Sequence, residues 1–278
     1  MSIPNALLDL NLRDMGGITT EDGRVLRPGL VYRAGALSKL DAGGRAAVDA
    51  LGLRTIVDLR TPYERERYGT SYTPPGARLV LLPMDSGDLT KTLVPAIKGG
   101  RFEEVPMDVL SQINRALIRG AYPQLATLMR LLAAPERRPL LFHCSHGKDR
   151  TGLVAALLLS ALGASWSTVE TDYLRSNDTP HIHNVAFRAR LHRMARWVTR
   201  RPWKTPDVSP LLRLLSVDAE FLGAARIEMA ASHGDVDGYL TQRLAVHPAL
   251  RERLREAFLL PARDPSDASE QQAHPAAG

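Results

Sequence analysis

The sequence predicts an α/β layer fold organised as one domain. Two observations predict it: short apolar runs alternate with turn signals through the first half, and stretches of helical period separate and follow them. Residues 54–60, 77–83 and 138–143 are three such runs, rich in branched or aromatic side chains, as strands buried on both faces are. Residues 23–33 hold Pro28-Gly29 between two further apolar runs, which predicts a hairpin at a sheet edge. Helices are expected where apolar residues recur at spacings of three and four: 110–118, 123–132 and 151–162, then 167–176, 184–201, 218–233 and 248–260. Gly163 closes the third of these, since glycine accepts the left-handed conformation that ends many helices. Residues 262–278 are too polar and proline-rich to bury anything, so the domain is expected to span 1–261 with a disordered tail behind it.

At 278 residues the chain is long enough to bury a sizeable core and lies at the upper end of what one domain spans. Its 44% hydrophobic and 24% charged residues exclude a fibrous or wholly disordered class. No stretch approaches the roughly 18 consecutive apolar residues of a membrane span, and the first residues lack a basic region followed by an apolar run. A cytoplasmic protein is expected. The net charge of +6 would suit nucleic acid, an anionic membrane or a phosphorylated substrate. Lysine is confined to Lys39, Lys91, Lys98, Lys148 and Lys204 while arginine and alanine abound, a bias that genomic base composition produces as readily as a functional basic patch does. One cysteine excludes an intrachain disulfide and a multi-cysteine zinc site. A lone cysteine is ordinarily an inert small core residue, so the neighbours of Cys144 decide its meaning.

Residues 141–152 read Leu-Phe-His-Cys-Ser-His-Gly-Lys-Asp-Arg-Thr-Gly: an apolar strand runs into Cys144, five residues follow, and Arg150 opens a helical pattern. Wrapped tightly, residues 145–150 would point successive backbone N–H groups at one oxyanion, and the helix behind them adds the positive end of its dipole. The same field stabilises a thiolate, the nucleophilic form of Cys144. Arg150 offers a planar fork matched to two phosphate oxygens, able to tighten as phosphorus becomes pentacoordinate. Thr151 can donate its hydroxyl to the sulfur and ease its departure, and Gly147 permits the tight turn. Ser145, His146, Gly147 and Lys148 are thus the expected substrate-binding residues, and Cys144, Asp149, Arg150 and Thr151 the catalytic ones.

Displacement also needs an acid for the leaving oxygen and a base for the attacking water. Asp149 in the loop is favoured, and Asp85, which with Asp88 follows the strand ending at Pro83, is the alternative. Each has a plainer reading, Asp149 as partner of a basic residue and Asp85 as a turn former. A bare Cys-x5-Arg pattern is common by chance. The strand before it, the glycine within it and the Thr-Gly after it supply the context that phosphate chemistry requires.

The run His143–Gly152 resembles the HCxxGKDRTG signature of a bacterial branch of the protein-tyrosine phosphatase superfamily, related to dual-specificity and phosphoinositide phosphatases. The resemblance extends through Asn11-Leu-Arg-Asp-Met-Gly-Gly17, Tyr32-Arg33 with Leu37, Val57-Asp-Leu-Arg60, Asp172-Tyr-Leu, Ser176-Asn177, His233-Gly and Tyr239-Leu240, covering most of residues 11–260. It implies a protein-tyrosine-phosphatase-like fold, a small, mostly parallel central sheet flanked by helices, and activity on phosphotyrosine without a metal. It also implies Cys144 as nucleophile, Arg150 as phosphate ligand, Asp149 as general acid and Lys148 as an extra positive group suited to lipid headgroups or multiply phosphorylated substrates. His146 stands where relatives carry a small residue; it either adds a titrating cation near the phosphate or points outward.

From Phe187 onward, Phe187, Leu191, Met194 and Val198 fall on one helical face and Arg190, Arg193, Arg196 and Arg200 on another. This reads as part of a helical lid insertion at 180–216, as a contact for acidic lipid, or as a surface helix with solvated arginines. His181 and His183 are too isolated for a metal site. The expected function is hydrolysis of phosphate monoesters, protein phosphotyrosine first, through a phosphocysteine, with no cofactor and no nucleic-acid partner. A phosphoinositide or dual-specificity phosphatase is the alternative, and a phosphate-binding pseudophosphatase the non-enzymatic one. Sulfur transfer is disfavoured because its cysteine loops are typically shorter. Arsenate reduction through paired thiols is excluded because the chain has no second cysteine.

Overall fold

The computed structural model describes residues 10–85, 87, 93, 95–179, 185–199 and 207–261, the side chains of 185–188 excepted. Asp88, the insertion segments 180–184 and 200–206, and the 262–278 tail lie outside these residues, as do His181, His183 and Arg200. A five-stranded sheet runs in the order β1 (Arg13–Asp14), β2 (Val31–Ala34), β5 (Leu140–His143), β3 (Thr55–Asp58) and β4 (Arg78–Leu81). The β1–β2 pair is antiparallel and the other three pairs are parallel. Around it lie α1 (Ala42–Asp49), α2 (Pro62–Tyr68), α3 (Val109–Gly120), α4 (Tyr122–Ala133) and α5 (Asp149–Leu162). There follow α6 (Trp166–Leu174), α7 (Val185–Thr199), α8 (Ser209–Leu215), α9 (Ala219–His233) and α10 (Pro248–Phe258). No helix among the described residues is long and apolar enough to cross a membrane.

Side chains of β5 alternate between the two faces of the sheet, as a period of two requires. Leu140 and Phe142 enter the larger core with the residues of α5, while Leu141 enters a smaller one with Tyr32, Ile56 and Val48 of α1. Helix α5 is buried without interruption from Thr151 to Leu159, the consequence of a sequence apolar on all sides. It ends at Gly163 with φ of 90°, the left-handed closure expected of that glycine.

The three expected strands form within their predicted runs, but the expected hairpin at 23–33 does not. Residues 31–34 are an interior strand, buried throughout, and their antiparallel partner is Arg13–Asp14. Val25 and Leu26 make only isolated bridges, to Thr19 and Leu259. The Pro28-Gly29 turn survives because the Asp14 carboxylate accepts from the Gly16 and Gly29 N–H groups at 2.8 and 2.6 Å. Strand β4 is not buried on both faces; it closes the sheet edge and leaves Leu81 46% exposed. Helix α2 was invisible to periodicity because it buries no residue. It forms instead from its cap: Thr61 Oγ1 accepts from the Glu64 N–H, the Glu64 carboxylate accepts from the Thr61 N–H, and Pro62 opens the first turn.

Helix α6 crosses α5 at Gly152, where an added Cβ would lie 2.6 Å from two ring carbons of the buried Tyr173. Gly152→Ala should destabilise the protein by about 1–3 kcal/mol through overpacking, seen as a lower urea midpoint at unchanged slope.

Candidate active site

Strands β2, β5 and β3 end level with one another: Ala34 and Asp58 are the register partners of His143. Parallel sheets present their ligand crevice at this C-terminal edge. Cys144 is the next residue after β5, 3% exposed and at the margin of the larger core. Five residues further, α5 opens at Asp149, with Arg150 in its first turn. Between them Ser145 is half-buried, His146 exposed, and Gly147 and Lys148 buried.

A peptide unit that turns its carbonyl outward turns its N–H inward. His143 Nδ1 donates to the Cys144 carbonyl at 3.1 Å, and the Ala36 N–H donates to the Ser145 carbonyl at 3.1 Å. The Asn11 amide and an Arg33 guanidinium N–H both donate to the Gly147 carbonyl, at 3.0 and 3.1 Å. The Gly152 N–H takes the Lys148 carbonyl at 2.7 Å. Opposite these ties, the backbone N–H groups of Ser145, Gly147, Lys148, Asp149 and Arg150 have no partner among the described residues. Gathered at a helix N-terminus, they form an anion site. Gly147 is required twice over: its φ is 70°, and a Cβ there would fall 2.6 Å from the backbone of Ala34 and Gly35.

The donors are themselves fixed. Asp172 of α6 accepts from Arg33 at 2.5 Å and from Arg13 Nε at 3.2 Å, while Arg13 donates to Asn11 Oδ1 at 2.5 Å. All four residues are buried. Burial pushes the Asp172 carboxyl up, yet Arg33 and Arg13 together hold it below the usual carboxylate range. His143 is fully buried, and that burial holds its imidazole neutral. Its Nδ1 faces the Cys144 carbonyl, and its Nε2 lies 2.8 Å from Ser71 Oγ, whose hydroxyl also lies 3.0 Å from the Asp58 carboxylate. Ser71 in turn accepts from Arg60 at 2.8 Å, and Arg60 pairs with Asp58 at 2.8 Å, all of them buried.

Arg150 donates through both terminal nitrogens to the two oxygens of Glu64, at 2.6 and 2.5 Å. Ser145 Oγ donates to the same carboxylate at 2.6 Å. One carboxylate therefore joins the cap of α2, the loop and the guanidinium. Burial opposes the charge on Glu64, but the bonds from Arg150 and Ser145 prevail and hold its carboxyl down at about 2, from an ordinary 4.5. Arg150 also reaches the Leu59 and Met84 carbonyls at 3.4 Å, which brings the loop after β4 to the site.

A model described as the tyrosine phosphatase family matches residues 9–260. The chain belongs to this family. The triple specificity protein phosphatase PtpB of Mycobacterium tuberculosis is 33% identical, over 90% of this chain and 96% of its own length. A Cupriavidus necator protein named provisionally as a tyrosine-protein phosphatase is also 33% identical, over 86% of this chain and 83% of its own. The solved structure of P. aeruginosa TpbA overlaps with a TM-score of 0.33 at 20% identity, across 69% of this chain and 89% of that one. The chain is thus a cysteine-dependent phosphoric monoester hydrolase.

Within this phosphatase, several expected site residues stand differently from the sequence reading. Lys148, expected to face the substrate, is 4% exposed; its ammonium donates to Asp149 at 2.9 Å and to the Ser216 carbonyl at 3.2 Å. Asp149 is therefore the partner of a basic residue, whatever further role it has. Thr151 is fully buried and its hydroxyl has no partner among the described residues, so the donation to sulfur is not made in this state. Asp85 is exposed and accepts from the Gly87 N–H at 3.0 Å, as a turn former does, one residue beyond the Met84 carbonyl that faces Arg150. Glu64 was absent from the expected site. Its signal was present as Thr61-Pro-Tyr-Glu64, a capping-box spacing directly behind the Asp-Leu-Arg block.

Because the folded Glu64 carboxyl lies near 2 and the ordinary value is 4.5, its contribution is fully present above 4.5 and is lost as pH falls toward 2. The shift corresponds to on the order of 3 kcal/mol. Glu64→Gln should therefore lower the denaturation midpoint most at neutral pH, with the gap to wild type closing as pH falls through that window.

Proposed function

We propose that this phosphatase hydrolyses phosphotyrosine in proteins through a phosphocysteine on Cys144. The observation that supports the reading best is the loop beginning at Cys144: the carbonyls of Cys144, Ser145, Gly147 and Lys148 are tied outward, while the N–H groups of Ser145, Gly147, Lys148, Asp149 and Arg150 have no partner among the described residues, beside a preset Arg150 guanidinium. In this reading the thiolate attacks phosphorus, the loop N–H groups and Arg150 take the non-bridging oxygens, and the bond from phosphorus to the tyrosine oxygen breaks. The leaving oxygen takes a proton from Asp149, with Asp85 the alternative donor. Water then attacks the phosphocysteine, its proton passes to the same carboxylate, and the sulfur–phosphorus bond breaks to return the thiolate. Glu64 holds the guanidinium in place before substrate arrives, so little reorganisation remains for the reaction itself.

The names of the relatives, a triple specificity phosphatase and a tyrosine-protein phosphatase, support phosphotyrosine as substrate. A phosphoinositide preference drew on Lys148 as ligand for a further phosphate. With that ammonium engaged by Asp149 and Ser216, protein phosphotyrosine is the better-supported reading.

Cys144→Ser should lower turnover of an aryl phosphate at least about a thousandfold while a phosphotyrosine peptide still binds. Asp149→Asn should lower kcat by about 10²–10⁴ on phosphotyrosine and much less on an activated nitrophenyl ester. The same pattern from Asp85→Asn instead would transfer the acid role. Across phosphotyrosine peptide, phosphothreonine peptide and phosphoinositide, kcat/KM should be highest for the first; a lipid ranked first would overturn the substrate reading.

A further inference from the structure

Helix α7 departs from its expected amphipathic pattern in one respect. Leu191 and Ala195 are buried with Phe102, Val208 and Leu211, and Val198 is half-buried. Met194, expected on that apolar face, is instead 43% exposed on the arginine side. Trp197 stands there too, 81% exposed, one helical turn beyond the exposed Arg193 and two beyond the exposed Arg190, with exposed Arg196 beside it. Between Asp178 and Asp207, residues 179–206 of the sequence hold no acidic residue, so this stretch supplies no counter-charge of its own.

An arginine face alone is a solvated surface. An indole and a thioether raised among the arginines are what water disfavours and a bilayer interface accepts. Guanidinium groups meet lipid phosphates while indole settles at headgroup level. A second copy fits poorly, because a two-fold contact through this face would set arginine against arginine. A nucleic acid would engage the arginines and leave Met194 without a role. We propose that the outward face of α7 docks the phosphatase onto anionic lipid bilayers.

Full-length protein should sediment with phosphatidylcholine vesicles that contain phosphatidylserine, remain in solution with phosphatidylcholine alone, and release as salt is raised. Trp197→Ala should weaken binding roughly fivefold or more, and Arg190→Glu/Arg193→Glu/Arg196→Glu roughly a hundredfold. Both variants should keep wild-type turnover of a small aryl phosphate, which shows that they are folded. Tryptophan emission should shift to shorter wavelength on vesicle addition in the wild type and not in Trp197→Ala. The proposal is overturned if wild type fails to sediment with the anionic vesicles, or if Trp197→Ala binds as tightly as wild type, which would be plain polycation attraction. It is equally overturned if the face drives self-association, or binds RNA more tightly than vesicles.

Discussion

A backbone cradle for an oxyanion exists only while its own carbonyls are held away from the anion. Free in solution, a loop such as 145–148 would sample many peptide orientations, and each flipped unit would aim a carbonyl dipole where an N–H should be. Here four carbonyls are tied by five donors from separate parts of the chain: His143 at the strand end, Ala36 after β2, Asn11 before β1, Arg33 in β2, and Gly152 in α5. Leaving a buried carbonyl unsatisfied costs about 1–3 kcal/mol, so turning any one of these peptides around is opposed by a lost bond as well as by packing. The level ends of β2, β5 and β3 place the donors where the loop needs them.

Two buried ionic clusters flank that loop, Asp172 with Arg13 and Arg33 on one side and Asp58 with Arg60 on the other. Buried ion pairs are weak evidence of stabilisation, because desolvation offsets much of their attraction. Their arrangement is better understood as geometry. Asp172 aims Arg33 at the Gly147 carbonyl, and Arg60 with Asp58 holds the Ser71 side chain against the His143 ring. Glu64 does the same for Arg150, and its position follows from a capping box that would otherwise be an ordinary helix start. Local structure, charge and site are in this way one construction.

Much of this was legible in the chain. The strands at 54–60, 77–83 and 138–143 and the long helices follow from apolar spacing, and the His143–Gly152 run locates the site without a structure. What periodicity could not show is instructive. Helix α2 buries nothing, so its carboxylate at the heart of the site left no hydrophobic trace. The β2 strand pairs with a two-residue partner too short to register as a strand, and the apolar residues 25–26 offered a false alternative. The family blocks at 11–17, 32–33, 57–60 and 172–177 were visible as matches but silent on role, because the meeting of Asn11 and Arg33 on the Gly147 carbonyl, with Asp172 holding Arg33, is a tertiary fact. Lys148 shows the converse: the resemblance suggested a ligand for a further phosphate, and its ammonium instead donates to Asp149 and to the Ser216 carbonyl, 68 positions away.

A crystal structure with orthovanadate bound tests the account most directly. The account predicts vanadium bonded to the Cys144 sulfur, with its oxygens accepting from the N–H groups of 145–150 and from Arg150. Glu64 should remain forked to Arg150, and the Gly147 carbonyl should stay on Asn11 and Arg33. Vanadate seated elsewhere, or a Gly147 carbonyl turned toward the anion, would contradict it.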